Sequence, residues 1–200
     1  MVKIRILCIA LLLCNIFSFG QSNLDSTRKI RAIQKKVILA QLNVREETGN
    51  NDGYQIDLYR VSVAKWLNAM KPKPAWCACF YYFLFYSIDV KLTVRSARAR
   101  EYFSDKLGSY NPNLRIERPP EFGWPVGYKF GKNAEIRHIG SVYEWNPDPK
   151  VTMCRILEGN TSSSGVTGVD RDGDGVYIKW RPKSAIYRCT PLNRLKTNGK

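Results

Sequence analysis

From Ile6 to Phe19 nearly every residue is apolar, and the pattern beyond it breaks into segments of different period. Ile30, Ile33, Val37, Ala40 and Val44 recur at three- and four-residue spacing, which predicts one face of a helix over residues 24–44, with Asp25 or Ser26 as its cap. Thr48-Gly49-Asn50-Asn51-Asp52-Gly53 is dense in turn formers and interrupts that spacing. Ile56, Tyr59, Val63, Trp66, Leu67 and Met70 restart it and predict a second amphipathic helix. Lys71-Pro72-Lys73-Pro74 then imposes an extended connection, because each proline biases its predecessor away from helical geometry. Cys77 to Ile88 is apolar or aromatic at almost every position, the signature of a helix buried on all sides. Arg95 to Asp105 reads as a shorter, charged helix. Asn111 to Gly131, with four prolines and three glycines, reads as a long irregular segment.

The period changes further on. Ile136–Tyr143, Val151–Glu158, Val176–Trp180 and Ile186–Cys189 alternate or are rich in branched residues, so they predict strands of an antiparallel sheet. Helices first and strands second argue for an α+β domain, its N-terminal helices packed against a C-terminal antiparallel β-sheet. That is the papain-like order, in which a cysteine at a helix N-terminus faces a strand carrying histidine, and the helix end favours thiolate.

The first twenty residues read as a secretory signal peptide: Lys3 and Arg5 precede the apolar run, and Ser18 and Gly20 are small residues at the cleavage positions. Cleavage there makes Gln21 the new N-terminus and the chain secreted or periplasmic. The run falls short of the roughly 20 apolar residues of a membrane span, so no stable membrane insertion is expected after cleavage. A lipoprotein anchored through Cys14 is the less favoured alternative, because Leu11-Leu12-Leu13 lacks the small residue normal before a lipidated cysteine. Residues 21–200 suit a single domain.

The formal charge is +15, and it falls to +13 when Lys3 and Arg5 leave with the signal. Such a surface favours polyanionic surroundings, anionic cell-wall polymers among them. The basic residues are scattered, with no aromatic-interleaved repeat, so nucleic acid is not an expected partner. Cys77, Cys79, Cys154 and Cys189 survive maturation. On a helix Cys77 and Cys79 point to nearly opposite sides and cannot bridge each other. Cys154 and Cys189 are read either as a disulfide or as two buried free thiols. No zinc spacing is present. Asp170-Arg171-Asp172-Gly173-Asp174-Gly175 imitates the start of a calcium-binding EF-hand loop, but Arg181 stands at the twelfth position, where a bidentate Glu is needed. A polar hairpin turn is the better reading. No cofactor or metal is called for.

The chain has one histidine, His138, inside Ile136-Arg137-His138-Ile139-Gly140. A nucleophilic thiol needs a base titrating near neutral pH and a third group that orients it, and His138 is the one candidate base of that type. Four stretches carry a resemblance together: Val44 to Gly53, then Trp76-Cys77-Ala78-Cys79-Phe80, then His138-Ile139-Gly140, then Glu158-Gly159-Asn160-Thr161. In order and spacing they resemble the CHAP superfamily of cysteine, histidine-dependent amidohydrolases and peptidases, over roughly residues 30–190. The resemblance implies that Cys77 is the nucleophile, with Cys79 as helix filling, and that His138 is the general base. It implies that Glu158 orients His138 and that Asn160 contributes a second polar group. Strand parity puts Glu158 and Asn160 on one face if a strand runs through both.

Each piece also has a plainer reading. Cys77 can be a small core hydrophobe, Glu158-Gly159-Asn160 a strand end and turn, and Glu46 a brace for the Thr48–Gly53 loop rather than a catalytic group. The expected function is a secreted cysteine amidohydrolase or peptidase that cleaves amide bonds in peptidoglycan. The alternatives are a non-catalytic wall-binding module of the same fold and a secreted antibacterial toxin using the same chemistry.

Overall fold

The computed structural model describes residues 28–115, 117–129, 135–163 and 173–197. The signal peptide over 1–20, Cys14, the cap at Asp25 or Ser26 and the first part of the calcium-like loop at 170–172 lie outside the described residues. The chain divides after Leu39 into two compact units, and Ala40–Lys200 holds everything that bears on function below. Helix α1 covers 28–41, within the span expected. Among the described residues no helix is long and apolar enough to cross a membrane.

Helix α2 (Tyr54–Val63) buries Ile56, Tyr59 and Val63. It was expected to run on to Met70 but stops at Ala64, whose backbone is extended at φ −162°, and a 3-10 turn (Lys65–Ala69) follows. The cause is tertiary. Asp57 accepts from Arg60 at 2.8 Å and from Lys73 at 2.9 Å, and a straight helix rising about 1.5 Å per residue would carry Lys73 away from Asp57. Arg60 also donates to the carbonyls of Asn51 and Pro74, tying both flanking loops to α2.

Helix α3 (Cys77–Tyr86) buries eight of its ten residues, as its unbroken apolar run predicts. Burial of so many aromatic rings is tolerable because polar tips find partners: Tyr81 Oη donates to the Gly123 carbonyl at 3.0 Å. The helix ends where Asp89 takes a left-handed conformation, φ 55°, and Val90 N–H returns to the Phe85 carbonyl. The charged helix expected over Arg95–Asp105 is instead two 3-10 turns, Ala99–Phe103 and Asp105–Leu107. Its buried side chains include Ala99 and Tyr102, three apart, a spacing that 3-10 geometry stacks on one side. Ser96 Oγ accepts the Arg98 N–H and so competes with a regular helical start.

Five antiparallel strands follow: β1 (Pro125–Lys129), β2 (Ile136–Glu144), β3 (Met153–Thr161), β4 (Gly175–Pro182) and β5 (Arg188–Cys189), in the spatial order β4-β3-β2-β1-β5. A short helix α4 (Leu192–Leu195) closes the chain. The α+β class with an antiparallel sheet is therefore as expected, and α3 packs on β2 and β3. One strand was missed. β1 lies between β2 and β5, inside the segment expected to be irregular. Proline is tolerated as the first residue of a strand, and Val126 and Tyr128 are fully buried, so local Pro and Gly content gave way to sheet pairing. Cys154 and Cys189 are free thiols buried in one apolar cluster with Val126, Tyr128, Val142 and Ile156.

Candidate active site

Trp76 and Cys77 stand where the extended Lys71–Pro74 connection enters α3, and Cys77 is the first helical residue. Their position is fixed from three directions. The Trp76 backbone N–H donates to Asn160 Oδ1 at 2.7 Å, and the indole Nε1–H donates to Glu46 Oε1 at 2.8 Å. The ring lies so close to Gly159 that a Cβ there would fall 2.7 Å from it and 2.7 Å from Phe80. Only glycine allows that approach. Glu46 also accepts the Asn51 N–H at 2.8 Å, so it braces the loop of turn formers and fastens it to Trp76, the plainer of the two roles open to it.

His138 lies on β2 and is fully buried. Its Nε2 meets Glu158 Oε2 of β3 at 3.1 Å. The Cys77 thiol lies near enough to the same ring to raise its pKa. Gly140 pairs with Glu158 across β2 and β3, and a Cβ on it would stand 3.0 Å from Glu158 Cγ and 2.5 Å from Ile156, so the glycine makes room for the acidic side chain.

Two further side chains complete this cluster. Arg181 of β4, buried to 0% exposure, grips Glu158 with both arms of its guanidinium: Nε to Oε1 at 2.8 Å and Nη2 to Oε2 at 2.6 Å. Tyr128 of β1 stands across the strand pair from His138, ring centres 5.8 Å apart, and the Arg181 guanidinium lies 5.9 Å from the Tyr128 ring. Both escaped the reading of the sequence. Arg181 had registered only as the residue that spoils a calcium loop, although an arginine in the run Val176-Tyr177-Ile178-Lys179-Trp180 was a signal of a buried partner. Tyr128 sat in the segment taken as irregular, where its alternation with Val126 was the missed sign.

No family model matches the chain. No curated protein and no solved structure matches it either. The chemistry of the site must therefore be argued from its own geometry.

Burial by itself would drive His138 toward its neutral form, but hydrogen bonds and charge from Cys77 and Glu158 prevail and raise its pKa to about 9. Burial would likewise raise Glu158, yet the bonds from Arg181 and then His138 hold it down at about 2. At neutral pH the ring is an imidazolium beside a carboxylate. Pairing of the charges makes this tolerable in a buried place. The Glu158 carboxylate is held between Arg181 and His138, so its charge is opposed from two sides. Cys79 behaves otherwise. Burial pushes its thiol up to about 12, and it serves as helix filling.

The four residues singled out from the sequence thus divide. His138 and Glu158 are in direct contact and Cys77 is close enough to raise the pKa of the ring, whereas Asn160 Oδ1 bonds the backbone in front of Cys77. Asn160 has a left-handed backbone, φ 59°, and the pairing of β3 with β4 slips between Gly159 and Thr161, so simple strand parity does not extend from Glu158 to Asn160.

Cys77 is 5% exposed and opens on a groove of about 430 Å³ whose other walls include Pro74, Arg98, Arg100, Glu135 and Arg137. A tighter cavity of about 230 Å³, lined by Pro112, Pro119, Trp145, Pro147 and Lys183, contains neither thiol nor imidazole and offers no comparable chemistry. Among the described residues no group of His, Cys, Asp and Glu side chains is arranged to hold a metal ion.

Proposed function

We propose that the protein is a cysteine amidohydrolase or peptidase of the CHAP kind, with a papain-like arrangement of helix and sheet, acting on amide bonds of peptidoglycan. One observation carries the reading. A buried carboxylate–imidazole pair, Glu158 and His138, abuts the single thiol that opens on a groove, and that thiol starts a helix. Secretion through the signal peptide 1–20, and attraction of the basic chain to anionic wall polymers, belong to the same proposal.

The reactive form in this mechanism is a Cys77 thiolate beside a His138 imidazolium. The sulfur attacks the carbonyl carbon of the substrate amide, and the carbonyl electron pair moves onto oxygen. Backbone N–H groups in the first turn of α3 have no intrahelical acceptor and lie beside the sulfur, where such donors stabilise a developing oxyanion by about 3 kcal/mol each. Collapse of the intermediate breaks the C–N bond, and His138 gives its proton to the departing amine. The neutral imidazole then takes a proton from water, whose oxygen attacks the thioester. Release of the acid restores thiolate and imidazolium. Glu158 fixes the ring through Nε2, and Arg181 holds Glu158 ionised and pointed. Asn160 and Glu46 act through Trp76, by holding the entrance of α3.

The test is solubilisation of purified peptidoglycan by the mature chain. Cys77→Ala and His138→Ala are expected to abolish it with an unchanged circular dichroism spectrum, and mass spectrometry of the fragments separates a stem endopeptidase, which creates new peptide N-termini, from an amidase, which frees intact stems. Clearing by Cys77→Ala at the wild-type rate would overturn the mechanism. Absence of clearing by the wild type, with retained binding to the wall, would favour the non-catalytic module.

A further inference from the structure

The groove beside Cys77 is strongly cationic. Arg98 and Arg100 come from the 3-10 region and Arg137 from β2, where it immediately precedes His138. Glu135 is the single acid among the lining residues, and Arg100 engages it at 2.8 Å. Arg98 reaches Glu101 only at 3.8 Å, both side chains being well exposed, and Arg137 makes no ion pair among the described residues. Two guanidinium groups therefore face the open groove with their hydrogen-bonding capacity largely unspent, next to the sulfur.

Resting on the hydrolase reading, we infer that this site selects substrates carrying a free carboxylate close to the scissile amide, and that Arg98 and Arg137 bind that carboxylate. Guanidinium presents a planar fork that matches a carboxylate in two parallel hydrogen bonds, a match an ammonium cannot make. Both arginines line the groove on which Cys77 opens, which gives them a common target beside the thiol. A peptide stem with free acid groups has this chemistry; the same stem with those acids amidated does not. The two arginines are specificity-determining residues and take no part in bond breaking.

The inference is tested on the full mature chain by alkylating Cys77 with two reagents of similar size, anionic iodoacetate and neutral iodoacetamide. The ratio of their second-order rates reads the local field at sulfur. His138 contributes to that ratio in every variant, so a change between variants belongs to the substituted arginine. Arg98→Gln and Arg137→Gln alter exposed side chains and are each expected to lower the ratio about threefold, the double variant about tenfold, and high salt is expected to erase the difference. Hydrolysis of stem fragments is expected to fall at least about fivefold on amidation of the stem carboxylates in the wild type, and not in the double variant. An unchanged ratio in the double variant overturns the inference and leaves the hydrolase reading intact. Failure of both reagents to label Cys77 below pH 8 overturns both. Stronger protection of Cys77 by inorganic phosphate than by glutarate would assign the groove to phosphate groups and overturn the carboxylate assignment.

Discussion

Replacing Arg181 with methionine removes the guanidinium that holds Glu158 and keeps most of the volume. Two bonds of 2.8 and 2.6 Å between groups of 0% exposure are lost. At an effective dielectric of about 20, opposite charges about 3 Å apart attract by roughly 5 kcal/mol, and breaking one partner of a buried pair costs about 3–5 kcal/mol. His138 remains 3.1 Å from the carboxylate as a counter-charge. We therefore expect the loss at pH 7 to lie near the lower end, about 3 kcal/mol, a large fraction of the roughly 5–15 kcal/mol of a typical domain. The loss should grow as pH rises past about 9, because His138 then gives up its proton and leaves the carboxylate alone. Urea unfolding followed by tryptophan fluorescence at pH 7 and pH 9.5 measures both quantities. Adding Glu158→Gln to Arg181→Met should recover much of the stability, since no unmatched charge is left, while hydrolysis stays low. A single variant within about 1 kcal/mol of wild type, or a double variant no more stable than the single, would refute the view that these two side chains form the ionic core of the site.

Four other outcomes rest on the same geometry. The His138 pKa is raised from 6.5 to about 9, so its contribution to stability is complete below about pH 6.5 and vanishes as pH rises through about 9; Glu158 is lowered from 4.5 to about 2, so its contribution is present above about pH 4.5 and is lost as pH falls through about 2. Peptidoglycan hydrolysis should decline above about pH 9 for want of a proton for the leaving amine, whereas alkylation of Cys77 should not; a hydrolysis plateau reaching pH 11 would contradict the assignment of the acid to His138. Gly159→Ala places a Cβ 2.7 Å from Trp76 and Phe80, so a loss of about 1–3 kcal/mol with slower Cys77 alkylation is expected, and thermal unfolding unchanged within about 0.5 kcal/mol would argue against the close approach. Asn160→Ala leaves the buried Trp76 N–H without its acceptor and should cost about 1–3 kcal/mol, while Asn160→Gly, which accepts φ 59° freely, should cost about 1 kcal/mol less; equal losses would show that the left-handed backbone carries no cost.

The elements that could be read from the sequence were those whose burial is continuous or regular. The unbroken apolar run from Cys77 predicted α3, and the alternation in β2, β3 and β4 predicted three neighbouring strands to within a few residues. Misreadings arose where a distant partner decided. The Lys73–Asp57 contact turned the end of α2, three-residue packing made the Arg95–Asp105 region 3-10, and pairing with β2 and β5 made a strand of Pro125–Lys129 in spite of its proline and glycine. The site followed the same rule. The resemblance to the CHAP superfamily pointed to Cys77, His138 and Glu158, and the structure sets His138 against Glu158 with Cys77 close by. The assignment of Asn160 to the backbone of Trp76 needed the bulge that breaks strand parity.

The sequence by itself determined the α+β class of the fold, since that depends on periodicity that each segment carries locally. Tertiary structure alone decided that Arg181 and Tyr128 join His138 and Glu158, and that Arg98 and Arg137 line the groove on which Cys77 opens. Those are distances between segments far apart along the chain, and the electrostatics of a buried site depends on distance and burial, neither of which a linear pattern contains.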